Sequence, residues 1–299
     1  MRACVQARAG EGSSVDTGFP AADSRDDFAR ARRSAVLARL GARLRMREGD
    51  VDVLLPFDEV VGALGHRGEQ HLPGVQTVDL DSIVGSVDRL TGFDRQFRPT
   101  SDLTRRRFER LALAVRRGED LPPVDLYRVG EVHFVRDGHH RVAVLRALGR
   151  EVVAARVTLV RTAVGAGADL RISDLPLKGH ERLFRERVPL PPALRDRVVL
   201  AVPNDWALLA EGVEAWGFRR MQERRELMDR AQVALAWFSD EFEPVLSMLR
   251  EAGLHPGDGA RDAEVYLRFA KDRYLVLRTH RWDDHVLEQL SLLHGRRRD

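Results

Sequence analysis

The sequence predicts an α+β protein: one mixed domain, preceded by a helical extension and followed by a mostly α-helical domain. Three observations carry this expectation. Residues 75–164 alternate strand-like and helix-like stretches separated by Gly- and Pro-bearing turns, whereas residues 25–64 and 165–299 hold apolar residues at helical spacing with little β signal. The composition, 43% hydrophobic and 32% charged, is that of a globular chain able to bury a core. No run approaches the ~18 apolar residues that span a bilayer, so no membrane partner is expected.

Residues 1–24 are polar and lack the apolar stretch of a secretory signal, and their acidic residues are foreign to a transit peptide. They predict a disordered tail. The single Cys4 lies in it, which excludes an internal disulfide framework and a cysteine metal cluster and fits a reducing, cytoplasmic setting. Residues 25–74 predict a helical extension and a linker. Ser24, Asp26 and Asp27 open a helix striped by Phe28, Ala35, Val36, Leu40 and Leu44. Its arginines, among them Arg32, Arg39 and Arg43, read first as a solvated face, with nucleic acid or acidic lipid as alternatives. A short helix follows at 57–64, and GHRGEQHLPG at 65–74 reads as the linker.

From 75 onward the pattern is regular. Val78 and Leu80 mark a short strand, an irregular stretch runs to Pro99, and Ser101-Asp102 opens a helix that ends near Gly118. PPVDLYRVGEVHFVRDG alternates on both sides of Gly130, predicting a hairpin in which Val124 and Leu126 face Val132 and Phe134. HHRVAVLRALGR is a helix with Gly149 at its C-terminal cap, and EVVAARVTLV a final strand. Beyond 165, helices are expected at 206–226, 229–252, 262–271 and 283–293. Trp206, Trp216, Trp237 and Phe238, with Leu208, Leu209 and Val213, read as their core. His180 and Glu181 are candidates for a cap or groove lining. His280, Asp283, Asp284 and His285 crowd one segment, but a helix capped by Asp283 explains the acids better than a zinc site.

Charge is unevenly spread. The net formal charge is +3, yet residues 89–117 alone hold nine arginines against Asp94, Asp102 and Glu109, a local +6. Arg89, Arg95 and Arg98 are candidates for holding an anion or a second substrate, with a solvated loop as the alternative. Arg105, Arg106 and Arg107 cannot share one helix face, so a phosphodiester-tracking stripe would use Arg106, Arg110 and Arg117. Aromatic residues, 6% of the chain, are not interleaved with this cluster, which argues against a single-strand stacking platform.

The chemistry-bearing motif is Asp137-Gly138-His139-His140-Arg141, where a strand gives way to a helix. A helix start carries outward N–H groups and partial positive charge, which suits a phosphate. Gly138, His139, His140 and Arg141 are therefore the candidate phosphate-binding residues, Arg141 by forking two oxygens. His140 and Asp137 are the candidate catalytic groups for moving a proton, and Asp137 the candidate ligand of a magnesium ion. The plainer alternative makes Asp137 a helix cap, Gly138 a turn residue and the histidines polar surface.

On these residues, 76–160 resemble the N-terminal domain of the ParB/sulfiredoxin superfamily, over less than a third of the chain. The likeness rests on VDLDSIVGS, the basic helix, LPPVDLYRVGEVHFVRDGHHR and the helix ending in LGR before a last strand. The flanks, with FDEVVGAL, EAWGFRR and WFSDEF, resemble uncharacterised bacterial ParB-like proteins. The superfamily includes CTP-hydrolysing chromosome partition proteins, sulfiredoxins and ADP-dependent free serine kinases, and its strand-to-helix turn binds nucleotide phosphates. The resemblance implies a ParB/sulfiredoxin-like fold and places residues 138–141 on that turn, with Asp137 where the kinase-like members also carry an acid. His139 stands where sulfiredoxins have their reactive cysteine, so their reduction lacks its nucleophile. No helix-turn-helix pattern follows Thr162, which speaks against a centromere reader. The kinases match the turn best, and Asp94 is the candidate for their carboxylate base.

The expected function is nucleotide binding, of a nucleoside di- or triphosphate with Mg2+, extending to phosphoryl transfer or nucleotide hydrolysis if the protein is an enzyme. The alternative is a DNA-associated adaptor without catalysis, bound through the 89–117 face. A pure protein-interaction module is a third reading.

Overall fold

The computed structural model describes residues 16–44, 53–88, 91–255 and 261–295. The chain divides into two compact units, one ending at Leu175 and the other beginning at Pro176. The predicted tail falls partly outside the described residues, with Cys4 in that part, and Pro20 to Ser24 already belong to the first helix.

In the first unit, α1 (Pro20–Leu44) is followed by β1 (Leu55–Pro56), α2 (Phe57–Leu64), β2 (His66–His71), β3 (Gln76–Asp79) and β4 (Ile83–Ser86). Then come α3 (Arg105–Arg116), the β5 (Val124–Val129) and β6 (Val132–Asp137) hairpin, α4 (His139–Ala147) and β7 (Val152–Thr162). The strands form one mixed sheet in the order β1-β4-β6-β5-β7-β2, with β3 also on β7. The hairpin is antiparallel, whereas β4 on β6 and β5 on β7 are parallel. The eleven residues of β7 carry two partners in series on its far edge, β3 against Val152 to Ala155 and β2 against Thr158 to Thr162.

Both sheet faces are covered, which is why β5 and β6 bury apolar residues on both of their sides. One core packs Phe28 of α1, Phe108 and Ala112 of α3, and Val142 to Val144 of α4 against Leu126, Val135, Ala155 and Val157. The other packs Phe57, Val60 and Leu64 of α2 against Val129, Val132, Phe134 and Val160. The predicted order of strand, helix, hairpin, helix and strand is present, but the hairpin register differs from the expected one: Leu126 stands opposite Val135 and Tyr127 opposite Phe134, so Val124 and Leu126 lie in one core and Val132 and Phe134 in the other.

Three expectations are corrected. Residues 66–71 are a strand paired with β7, not a linker. They escape a pattern reading because HRGEQH is polar, as an edge strand with both faces near solvent is free to be. Residues 83–86, expected to be irregular, form a strand inside the sheet. The helix at 20–44 is no separate extension: it packs on α3, where Arg116 forks the buried Asp27 at 2.7 and 3.0 Å.

The second unit comprises α5 (Leu175–Arg187), which starts at the division, α6 (Pro192–Arg195), α7 (Pro203–Arg224), α8 (Arg230–Trp237), α9 (Glu243–Glu251), α10 (Asp262–Leu275) and α11 (Asp284–Gly295). A π-turn at Phe238–Phe242 joins α8 to α9. Its core holds Trp206, Leu209, Val213, Trp237 and Phe238, with Trp216 and Leu208 packed at its margin, as their spacing predicts. No helix among the described residues is long and apolar enough to cross a membrane.

Candidate functional site

Strand β6 ends at Asp137 and α4 begins at His139, so Gly138 alone makes the turn. Its φ is 108°, and a Cβ there would lie 2.6 Å from Val124 Cγ1. Only glycine meets both demands. The helix cap is thus Gly138, without a side-chain cap bond, and not Asp137.

The side chains of the motif divide by direction. His139 is buried, its Nε2 2.7 Å from Ser86 Oγ and its ring 6.3 Å from that of Phe97. His140 is also buried and meets Phe93 edge-on at 5.2 Å. Arg141 donates to the carbonyl oxygens of Pro122, at 2.9 Å, and Pro123, and to the Asp137 carboxylate. Arg141 therefore braces the entry to β5, while the Asp137 side chain stays 63% exposed.

A cleft of about 450 Å³ opens beside this turn, and Arg107 and Arg110 of α3, Arg136 of β6 and Asp88 line it with residues 137–141. Four arginines face two aspartates there, a surplus of positive charge at a helix N-terminus. Sequence reasoning missed Arg107, Arg136 and Asp88 as site residues and gave Arg110 to nucleic acid. The spacing of Arg107 and Arg110, one helical turn apart, was a legible sign of a shared face. That the face meets the Gly138 turn depends on the packing of α3 against α4.

The other candidates lie elsewhere. Arg89 falls outside the described residues. Asp94 is buried, its Oδ1 accepting from the Gln96 and Arg98 amides at 3.0 and 2.9 Å and its Oδ2 from Arg98 Nε at 2.7 Å. It holds the 94–98 loop in shape and does not line the cleft at Gly138. Arg95 donates to the Leu170 carbonyl, and Arg95 and Arg98 line a different cleft. Arg106 and Arg117 are exposed and outside both clefts.

In the second unit, Glu181 pairs with Lys178 and Arg185 within α5, and His180 Nδ1 lies 2.8 Å from the Pro176 carbonyl oxygen. Asp283 caps α11 by accepting from the Val286 amide at 2.9 Å. Among the described residues no group of three or more His, Cys, Asp or Glu side chains is placed to hold a metal ion. No protein-family model matches the chain, and no curated protein or solved structure matches it.

Proposed function

We propose that the first unit binds a nucleoside di- or triphosphate at the start of α4 and acts on it by phosphoryl transfer or hydrolysis, as the resemblance to the ParB/sulfiredoxin superfamily implies. The observation that carries this reading is the convergence of Arg107, Arg110, Arg136 and Arg141 on a cleft at a glycine-made helix start. Helix N–H groups bind the phosphate oxygens, and the guanidinium groups offset the charge that grows as the phosphoryl group moves. Asp137 is the lining carboxylate adjacent to the helix start, its side chain 63% exposed. A phosphate oxygen taking its place on Arg141 would release it to accept a proton from a hydroxyl or a water. His140, turned toward Phe93, serves better to hold the turn than to move that proton.

Magnesium binds through one or two carboxylates and completes its shell with phosphate oxygens and water. Asp88 and Asp137 supply two carboxylates at the cleft, a set that fits an ion arriving with its nucleotide and no resident metal. The ion would supply charge neutralisation on the phosphates.

The test is calorimetric titration of ATP, ADP, CTP and GTP, each with magnesium, into the wild type and an Arg107→Ala/Arg110→Ala variant. At about 1.5–3 kcal/mol for each lost charge-assisted contact, affinity for the bound nucleotide falls about 100-fold or more. A folded wild type that binds none of the four overturns the reading. Asp137→Asn removes the proton acceptor and leaves the arginines and Asp88, so turnover should fall further than nucleotide affinity.

A further inference from the structure

A second cleft of the first unit, about 960 Å³, shares no lining residue with the one at Gly138. Helix α1 contributes Ser34 and the small residues Ala38, Gly41 and Ala42. The charged lining consists of Arg95, Arg98, Arg146 and Arg171 against Asp81 and Asp169.

Arg146 is the telling residue. Its Nη2 donates to the backbone carbonyls of Leu80 and, at 3.0 Å, Ile83, and its guanidinium lies 5.6 Å from the centre of the Phe97 ring. These partners are neutral. No carboxylate among the described residues lies within ion-pairing distance of Arg146, and its buried Nε has no hydrogen-bond partner among them. Burial holds the guanidinium below its ordinary pKa, opposed only in part by the charges of Asp81, Asp94 and Asp79, none of which is in direct contact with it. Arg98 differs: Asp94 neutralises it at 2.7 Å.

We propose that this cleft is a second binding site, for a small molecule bearing phosphate groups, with Arg146 at its base and Arg171 and Arg95 on its lining. A phosphate supplies the direct ion pair that the nearby aspartates do not make, and guanidinium geometry fits two of its oxygens at once. The volume is of the size that holds a metabolite and exceeds the needs of a single inorganic ion. The site is independent of the nucleotide reading, because none of its lining residues borders the Gly138 turn.

Inorganic pyrophosphate is the probe, titrated calorimetrically without nucleotide into the Arg107→Ala/Arg110→Ala variant, in which the first cleft is disabled. Binding is expected to persist, and adding Arg171→Ala, an exposed position that folding tolerates, is expected to weaken it at least tenfold. Arg146→Met, confirmed folded by its thermal transition, should abolish it. Absence of pyrophosphate binding in the Arg107/Arg110 variant, or affinity unmoved by Arg171→Ala, overturns the proposal. A folded wild type that binds pyrophosphate but none of the four nucleotides would sink the first site and leave the second standing.

Discussion

Ser86 Oγ lies 2.7 Å from His139 Nε2, tying the last residue of β4 to the first residue of α4. Both side chains are buried, and β4 runs parallel to β6 with Ser86 opposite Val135, so the bond pins the helix start to the middle of the sheet. Ser86→Ala should cost about 1–2 kcal/mol in urea unfolding, because the imidazole keeps its burial and loses a partner. It should also weaken nucleotide binding less than loss of the arginine pair does. Unchanged stability would show that the bond contributes nothing.

Gly138→Ala tests the turn itself. A residue with a side chain at φ 108° carries about 1–3 kcal/mol of backbone strain, and its Cβ would overlap Val124 at 2.6 Å. The expected loss is at least about 2 kcal/mol in chemical denaturation, together with nucleotide affinity. Val124→Ala in the same chain removes the 2.6 Å overlap and should recover part of the steric cost, while the conformational part stays. A Gly138→Ala protein with wild-type stability and affinity would contradict both arguments.

Arg116→Ala decides whether α1 belongs to the domain energetically. The guanidinium forks Asp27 and lies 3.6 Å from Asp23, and all three side chains are nearly withdrawn from solvent. Asp27 in turn holds Arg116 above its ordinary pKa. Removing the cation leaves Asp27 with Arg30 at 3.3 Å and Asp23 with the Thr17 amide and hydroxyl, so the expected cost is that of the lost charge-assisted bonds, about 1.5–3 kcal/mol. A detachable helix would give a change within about 0.5 kcal/mol, the range of surface substitutions.

These variants also mark where the sequence was legible. The hairpin, α3, α4 and β7 announce themselves because their apolar periods run over enough residues to separate helix from strand, and the Asp-Gly before α4 stops β6 where the period changes. Strand β2 had no such signal, since HRGEQH gains its place from hydrogen bonds to β7 and not from burial of its side chains. Strand β4 is four residues long, too short for alternation to show, and Gly85 interrupts even that. The motif at 137–141 was visible as a local string, yet the direction of each side chain was not. Whether His139 faces Ser86 or solvent depends on a strand 53 residues earlier in the chain. Asp88, just beyond β4, comes to the cleft in the same way, through sheet pairing that no local window contains, whereas Arg136 directly precedes the motif.

His133 makes stability depend on pH. Its ring lies 2.9 Å from Ser82 Oγ and is nearly withdrawn from solvent, and burial, aided by the Arg128 charge and opposed by Asp79, lowers its pKa from 6.5 to about 4. The unfolded chain keeps the ordinary value, so between pH 6.5 and about 4 it binds a proton that the folded chain refuses. Stability from this group is therefore complete above pH 6.5, falls as pH drops, and levels off below about 4. The full difference corresponds to roughly 3 kcal/mol, of which about 2–3 kcal/mol falls between pH 6.5 and pH 4.5. His133→Gln keeps a polar partner for Ser82 and removes the titration, so its stability should decline less than that of the wild type between pH 7 and pH 4.5, by about that amount. Urea midpoints measured across this range supply the check, and curves that stay parallel for the two proteins would show that His133 titrates alike in both states.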